Sequence, residues 1–147
     1  MAYKYLSPEW IEEAKNRINS NPEVAAKGRD VSKRLRLIAT DCPGNKDILF
    51  DMSFVEGKVA DVHREEKPAP SDLRELPYDK DKYFLSMMPS YQNTYKVTSG
   101  KFGILEAIKA RDYHVQGSKL SITAFAIKKK GFIDAMTKAM REIPTEL

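Results

Sequence analysis

A chain of 147 residues that is 41% hydrophobic and 31% charged has the length of one domain and the composition of an ordinary globular protein. Folding a chain of this size buries roughly two-thirds of its surface, enough for a core and for a pocket. The net charge of +4, from 25 basic and 21 acidic residues scattered along the chain, does not gather into the cationic, aromatic-studded face that nucleic acid needs, and no run reaches the roughly 20 apolar residues of a membrane span.

MAYKYLSPEW holds no apolar signal core. Cys42 is the only cysteine, so no intrachain disulfide forms, and a reducing, cytoplasmic location is expected. Ser7-Pro8-Glu9-Trp10 reads as a helix start: Ser7 caps, Pro8 lacks the N–H that the first turn cannot use, and Glu9 suits the positive end of the dipole. Trp10, Ala14 and Ile18 form an apolar stripe with Ile11 beside it, ending near Asn19-Ser20-Asn21. A second helix is expected from Pro22 to about Ser32, with Val24, Ala25, Gly28 and Val31 inward; Gly28 weakens it, which points to close packing there.

From Arg34 to Ala39 charged and apolar residues alternate, the pattern of a strand with one wet face. Cys42-Pro43-Gly44-Asn45 turns the chain, Ile48 to Val55 alternates again, Glu56-Gly57-Lys58 makes a hairpin, and Val59 to Arg64 returns. Short connections make these three strands an antiparallel meander. Glu65 to Asp81, with Pro68, Pro70 and Pro77, reads as an exposed connection. Tyr83 to Met88 is the fourth expected strand. Pro89 ends it and Ser90 caps a helix through Tyr91, Tyr95 and Val97 that stops at Gly100. Phe102, Ile104, Leu105 and Ile108 mark another short helix closing at Arg111-Asp112. Tyr113 to Gln116 is the fifth expected strand, Ser118 opens the last helical region, and Gly131 is the point where that region is expected to divide.

These residues carry a resemblance. The strand from Tyr83, the helix ending in Ser99-Gly100, the helix centred on Ala107-Ile108, the strand ending in Gly117 and the apolar helix after it resemble the carboxy-terminal half of the sterol carrier protein type two family. The Trp-containing first helix, the Asn19-Ser20-Asn21 break and the meander with its turn at Gly57 resemble the amino-terminal half, so the similarity runs over roughly residues 5 to 140. The chain departs from the family at Arg111-Asp112, where a Gly-Lys pair is usual, and in a longer last helical region. The resemblance implies an α+β fold over residues 1–147: a five-stranded, largely antiparallel sheet with helices packed on one face and an apolar tunnel between the layers. It also implies a ligand among fatty acids, sterols, acyl-CoA and phospholipids; no cofactor is expected.

A lipid tail needs a concave apolar wall with few polar groups, and methionines suit a wall that adapts to its guest. Phe50, Met52, Leu85 and Met87 on the strands and Phe102, Leu105, Ile108, Tyr113, Ile122, Phe125, Phe132 and Met136 beyond them are the candidate lining, joined by Met88. The same pattern also describes a plain core. Catalysis finds little support. His63 and His114 sit in no nucleophile or metal-ligand motif, Cys42 lies in a turn between Asp41 and Pro43, and Ser99-Gly100-Lys101-Phe102-Gly103 lacks the spacing of a phosphate loop.

The expected function is therefore non-covalent binding and transfer or storage of a lipid-like ligand, by a protein that is not an enzyme. Two alternatives stay open: an interaction module that keeps the fold without a cavity, with a homodimer as one form, and an enzyme on a hydrophobic acyl substrate using an acid, His63, His114 or Cys42 inside the cavity. Lys128, Lys129 and Lys130 read either as a solvated face or as a transient dock for an anionic membrane surface.

Overall fold

The computed structural model describes residues 2–147. Strand β1 (Tyr3–Lys4) precedes α1 (Pro8–Ser20) and α2 (Pro22–Lys27), whose starts are built as the sequence indicates. Ser7 Oγ accepts from Trp10 N at 3.2 Å, and Asn21 Oδ1 accepts from Glu23 N and Val24 N. The second helix is shorter than expected and stops at Lys27 with Gly28 as its cap. Close approach explains this. A Cβ on Gly57 would sit 2.7 Å from the Gly28 carbonyl carbon, so the chain turns out of the helix to meet the hairpin, and Gly57 N donates to Val31 O.

Strands β2 (Lys33–Cys42), β3 (Lys46–Val55) and β4 (Lys58–Pro68) form the meander, and β5 (Leu85–Met87) joins the other edge of β2. The order is β4-β3-β2-β5, antiparallel throughout the meander and parallel between β2 and β5, which makes a mixed four-stranded sheet. The expected fifth strand is corrected. Arg111–Tyr113 is a 3₁₀ turn, His114 is left-handed at φ 45°, and only a bridge between Ser86 and Gln116 continues the sheet. Tyr113 is held out of an extended path because its ring stacks on Phe102 at 5.5 Å and its hydroxyl donates to Asn93 O at 2.9 Å. The α+β class stands. A further pairing that the sequence did not signal is β1 against β6 (Thr145–Glu146), parallel and separate from the main sheet.

Helices α3 (Tyr91–Thr98), α4 (Ile104–Lys109), α5 (Lys119–Lys128) and α6 (Lys130–Arg141) complete the fold. Ser90 and Ser118 cap α3 and α5 as expected. The last helical region divides at Lys129, at φ −106° and ψ 27°, and Gly131 continues inside α6.

The sheet separates two chemistries. Leu35, Leu37 and Ala39 lie opposite Met52, Phe50 and Ile48 on one face, against α1, α3 and α6. Arg34, Arg36 and Ile38 lie opposite Ser53, Asp51 and Leu49 on the other. Of the stretch Glu65 to Asp81, expected to be a solvated connection, the first residues extend β4 to Pro68 and the rest, up to Tyr83, is a strap over this second face. Leu73, only 2% exposed, packs on Ile38 and Leu49. Arg74 donates through Nε to Asp47 at 2.8 Å, and Asp47 also accepts from the Ser71 hydroxyl and from the Ser71 and Asp41 amides. Burial works against the Asp47 charge, but these donors outweigh it and hold the carboxyl well below the usual range.

Candidate functional site

Between the helices and the Phe50 face the layers leave a cavity of about 190 Å³. Leu35, Leu37, Phe50, Met52, Phe54, Val59 and Val62 form its sheet side. Trp10, Ile11, Ala14 and Ile18 of α1, Thr94 and Thr98 of α3, and Met136 and Met140 of α6 form the helix side. The spacing of four brings Trp10, Ala14 and Ile18 onto one stripe, and the short Ala14 side chain between two large ones helps leave the space. Lys15 is the one charged lining residue. The hydroxyls of the wall are already paired: Thr94 donates to Ser90 O at 2.9 Å, and the Tyr5 and Thr98 hydroxyls are 2.8 Å apart. Burial raises the Tyr5 ionisation well above its ordinary value, so that hydroxyl stays neutral.

Tyr5 and Leu6 line this cavity and also a second recess of about 200 Å³, so their side chains stand between the two spaces. Here Leu6 is left-handed, at φ 64°, an uncommon conformation for a bulky residue. Arg64 Nε holds its carbonyl at 3.0 Å. Lys4, Lys46 and Arg64 bring positive charge to the recess, against Glu66, which pairs with both Lys46 and Arg64. The hydroxyl of Tyr91, on the wall of the recess, is buried without a hydrogen-bond partner.

Of the sequence-derived lining, the structure brings together Phe50, Met52 and Met136 at the interlayer cavity. The others sit elsewhere. Leu85, Leu105, Ile108 and Ile122 pack with Ala126 in a separate cluster at the β5 edge. Phe102 stacks on Tyr113, Phe125 meets Phe84 edge-on at 5.3 Å, and Phe132 meets Phe54 edge-on at 6.2 Å inside the core. Met87 is half-buried on β5, opposite Leu37, and Met88 packs beside Leu73. Sequence reasoning did not assign Trp10, Ala14, Leu35, Leu37, Val62, Thr94 or Met140 to the site. The α1 stripe and the Leu35–Leu37 alternation were the available signals, but the register that sets them beside Met52 and Phe50 was needed to use them.

The residues weighed for catalysis lie away from the interlayer cavity. His63 is exposed on β4, 3.8 Å from Glu65, and His114 is exposed in its turn. Cys42, at the end of β2 rather than in the turn, is buried and lines the recess; burial, with Asp47 nearby, pushes its thiol up to about 12, so it remains protonated at neutral pH. Among the described residues no group of three or more His, Cys, Asp or Glu is placed to hold a metal ion, and no helix is long and apolar enough to cross a membrane.

No protein-family model matches the sequence. No curated protein matches it. Solved structures match in three dimensions. A crystal structure of sterol carrier protein 2 aligns with 95% of this chain and 99% of its own, at 12% identity and a TM-score of 0.70. The solution structure of a conserved hypothetical protein from Thermus thermophilus, described as possibly a sterol carrier protein, aligns over 99% of this chain and 94% of its own, at 14% identity and a TM-score of 0.69. Sterol carrier protein 2 from Yarrowia lipolytica in its apo form aligns over 93% and 96%, at 11% identity and a TM-score of 0.53. Matched over nearly the whole of both chains, this protein has the sterol carrier protein 2 fold.

Proposed function

We propose that residues 1–147 act as one lipid-binding domain that takes the apolar part of an elongated ligand between its helices and its sheet, non-covalently and without a cofactor, and transfers or stores it. The observation that carries this reading is the interlayer cavity, whose wall is apolar apart from Lys15 and whose Tyr5, Thr94 and Thr98 hydroxyls are already paired, so that an apolar chain meets no unsatisfied hydroxyl. The fold shared with structures named as sterol carrier proteins supports it. At about 190 Å³ the space is smaller than the roughly 300–1,000 Å³ of drug-sized ligand pockets, so a full lipid tail enters as the wall widens. Met52, Met136 and Met140 are unbranched and supply that adaptability. The Lys4, Lys46 and Arg64 recess behind Tyr5 and Leu6 suits an anionic head, which favours fatty acids, acyl-CoA and phospholipids over a neutral sterol.

Transient docking on an anionic membrane surface belongs to the same reading, through α5 rather than through the lysine triplet alone. Lys129 pairs with Asp30 and Lys130 with Asp134. Leu120 is 84% exposed and Ile127 62% exposed, with Lys119 and Lys128 beside them and without an ion-pair partner among the described residues. Each such lysine contributes about 1 kcal/mol near anionic lipid. Seated instead on a second copy of the chain, the same stripe would make a homodimer.

Native mass spectrometry of the freshly purified protein, followed by incubation with fatty acid, sterol, acyl-CoA and phospholipid, tests the proposal. The expected result is a stoichiometric adduct that is lost on unfolding. An Ala14→Leu variant, which fills the cavity, is expected to weaken that binding at least about tenfold, with a stability cost of no more than about 3 kcal/mol. Absence of saturable binding by all four classes would sink the reading and leave the interaction module.

A further inference from the structure

A larger space lies on the opposite face of the sheet, outside the lipid reading. Where the strap crosses β2 and β5 it leaves a groove of about 530 Å³, within the roughly 300–1,000 Å³ range of small-molecule sites. Arg36 lines it and is only 5% exposed. Its Nε donates to the buried Ser86 hydroxyl at 2.9 Å, and its terminal nitrogens donate to the Pro77 carbonyl at 3.0 Å and the Leu76 carbonyl at 3.4 Å. All three partners are neutral. Among the described residues no carboxylate oxygen lies within 4.0 Å of this guanidinium. A buried cation without an anion is costly, and five N–H donors meet three acceptors here, so donor capacity and positive charge both remain for a ligand.

The other charges in the groove decide what kind of anion fits. Arg74 is already neutralised by Asp47 and Asp41, and Glu75, exposed on the rim, repels further negative charge. Arg36 is thus the groove cation left without a carboxylate partner, and with Glu75 on the rim it suits an anion that carries a single charge. A planar carboxylate matches a guanidinium in both charge and shape, whereas a phosphate dianion would overcharge a site that holds Glu75. Ile38 and Met88 add apolar wall beside the charge, which favours a carboxylate carrying a compact apolar group. We propose that this groove, on the sheet face away from the helices, binds a small apolar monocarboxylate through Arg36.

Arginine-detected and amide NMR of the full chain tests this with benzoate, its neutral isostere benzamide, and inorganic phosphate. Benzoate is expected to shift the Arg36 Nε–H and the Met88 and Gln116 amides saturably, with benzamide at least about tenfold weaker, the cost of losing one charge-assisted hydrogen bond. Glu75→Gln, an exposed change that leaves the fold intact, is expected to tighten benzoate at least about twofold by removing a repelling charge. Arg36→Met keeps the volume and is expected to abolish binding. Should that variant fail to fold, the benzamide comparison and Glu75→Gln still decide. Equal binding of benzoate and benzamide, phosphate binding tighter than benzoate, or no effect of Glu75→Gln would overturn the proposal. Lipid loading of the interlayer cavity is a separate readout, so this site and the lipid site succeed or fail independently.

Discussion

On the helix side of the sheet, Leu37, Phe50 and Met52 meet α1, α3 and α6 across a mostly apolar cavity, whereas one residue along each strand, on the strap side, Arg36, Asp47 and Asp51 sit in a network of charges and hydrogen bonds. The same strands thus support two unlike environments. The difference follows from what covers each face. Helices bring apolar stripes, which bury area at about 25 cal/mol per Å². Leu73 and Tyr83 are the buried hydrophobic residues of the strap, so it is also held by Arg74 on Asp47, by Arg36 on the Leu76 and Pro77 carbonyls, and by Tyr83, whose hydroxyl donates to Asp51 at 2.6 Å.

The strongest way to break this contrast is at Asp47. Asp47→Ala removes a fully buried carboxylate, leaves the Ser71 donors without their acceptor and leaves Arg74 only the exposed Asp41. A loss of about 3–5 kcal/mol in urea denaturation is expected. Changing Arg74 as well, to Met, should recover part of that loss, since the under-matched charge is removed with its partner.

Gly28→Ala comes next. Its methyl would press on the Phe132 ring and the Gly57 backbone, and overpacking of this kind costs about 1–3 kcal/mol, read in the same denaturation experiment. The helix-side core, for all the softness of its cavity, is expected to resist here.

Acid then separates the two faces. The Asp47 and Asp51 carboxyls are depressed in the folded protein, Asp51 because its hydrogen bonds from Arg34 and Tyr83 outweigh its burial. An unfolded aspartate titrates near 3.9, so their stabilisation is fully present above that value and is lost as pH falls through the lower folded values. Chemical denaturation across pH 2–7 should show stability flat from about pH 5 upward and falling below about pH 4. Asp51→Asn should make the acid limb shallower.

The smallest effects are expected at the surface and at Cys42. Leu120→Ser on α5 should change stability by no more than about 0.5 kcal/mol while weakening attachment to anionic vesicles, measured by flotation. A thiol reagent at pH 8 should modify Cys42 only as fast as the protein opens, because the thiol is buried and its ionisation lies at about 12.

Local signals were enough for most elements. Ser7, Ser90 and Ser118 each cap the helix that the sequence assigned to them, and the alternations at 34–39 and 48–55 became β2 and β3 because a strand half-covered by helices must place its apolar residues two apart. The cavity was only partly legible. Phe50 and Met52 follow from alternation, and Met136 from helical spacing, but Leu85, Ile108 and Ile122 have the same pattern and fill a different cluster. Periodicity says which face of an element is buried and not which partner it is buried against.

Neighbouring residues alone therefore specify the helices, the meander and the α+β class, since caps, turns and periods are local properties of the chain. Contacts across the folded molecule settled the rest. They replaced the expected fifth strand with a turn, because Tyr113 found Phe102 and the Asn93 carbonyl. They folded the proline-rich connection onto the sheet, because Asp47 and Arg74, 27 positions apart, satisfy each other's charge there. They placed Arg36 beneath that strap, and joined Trp10 and Met140 across one small cavity. Each of these rests on a contact between distant residues, whose free energy exists only once the chain has closed.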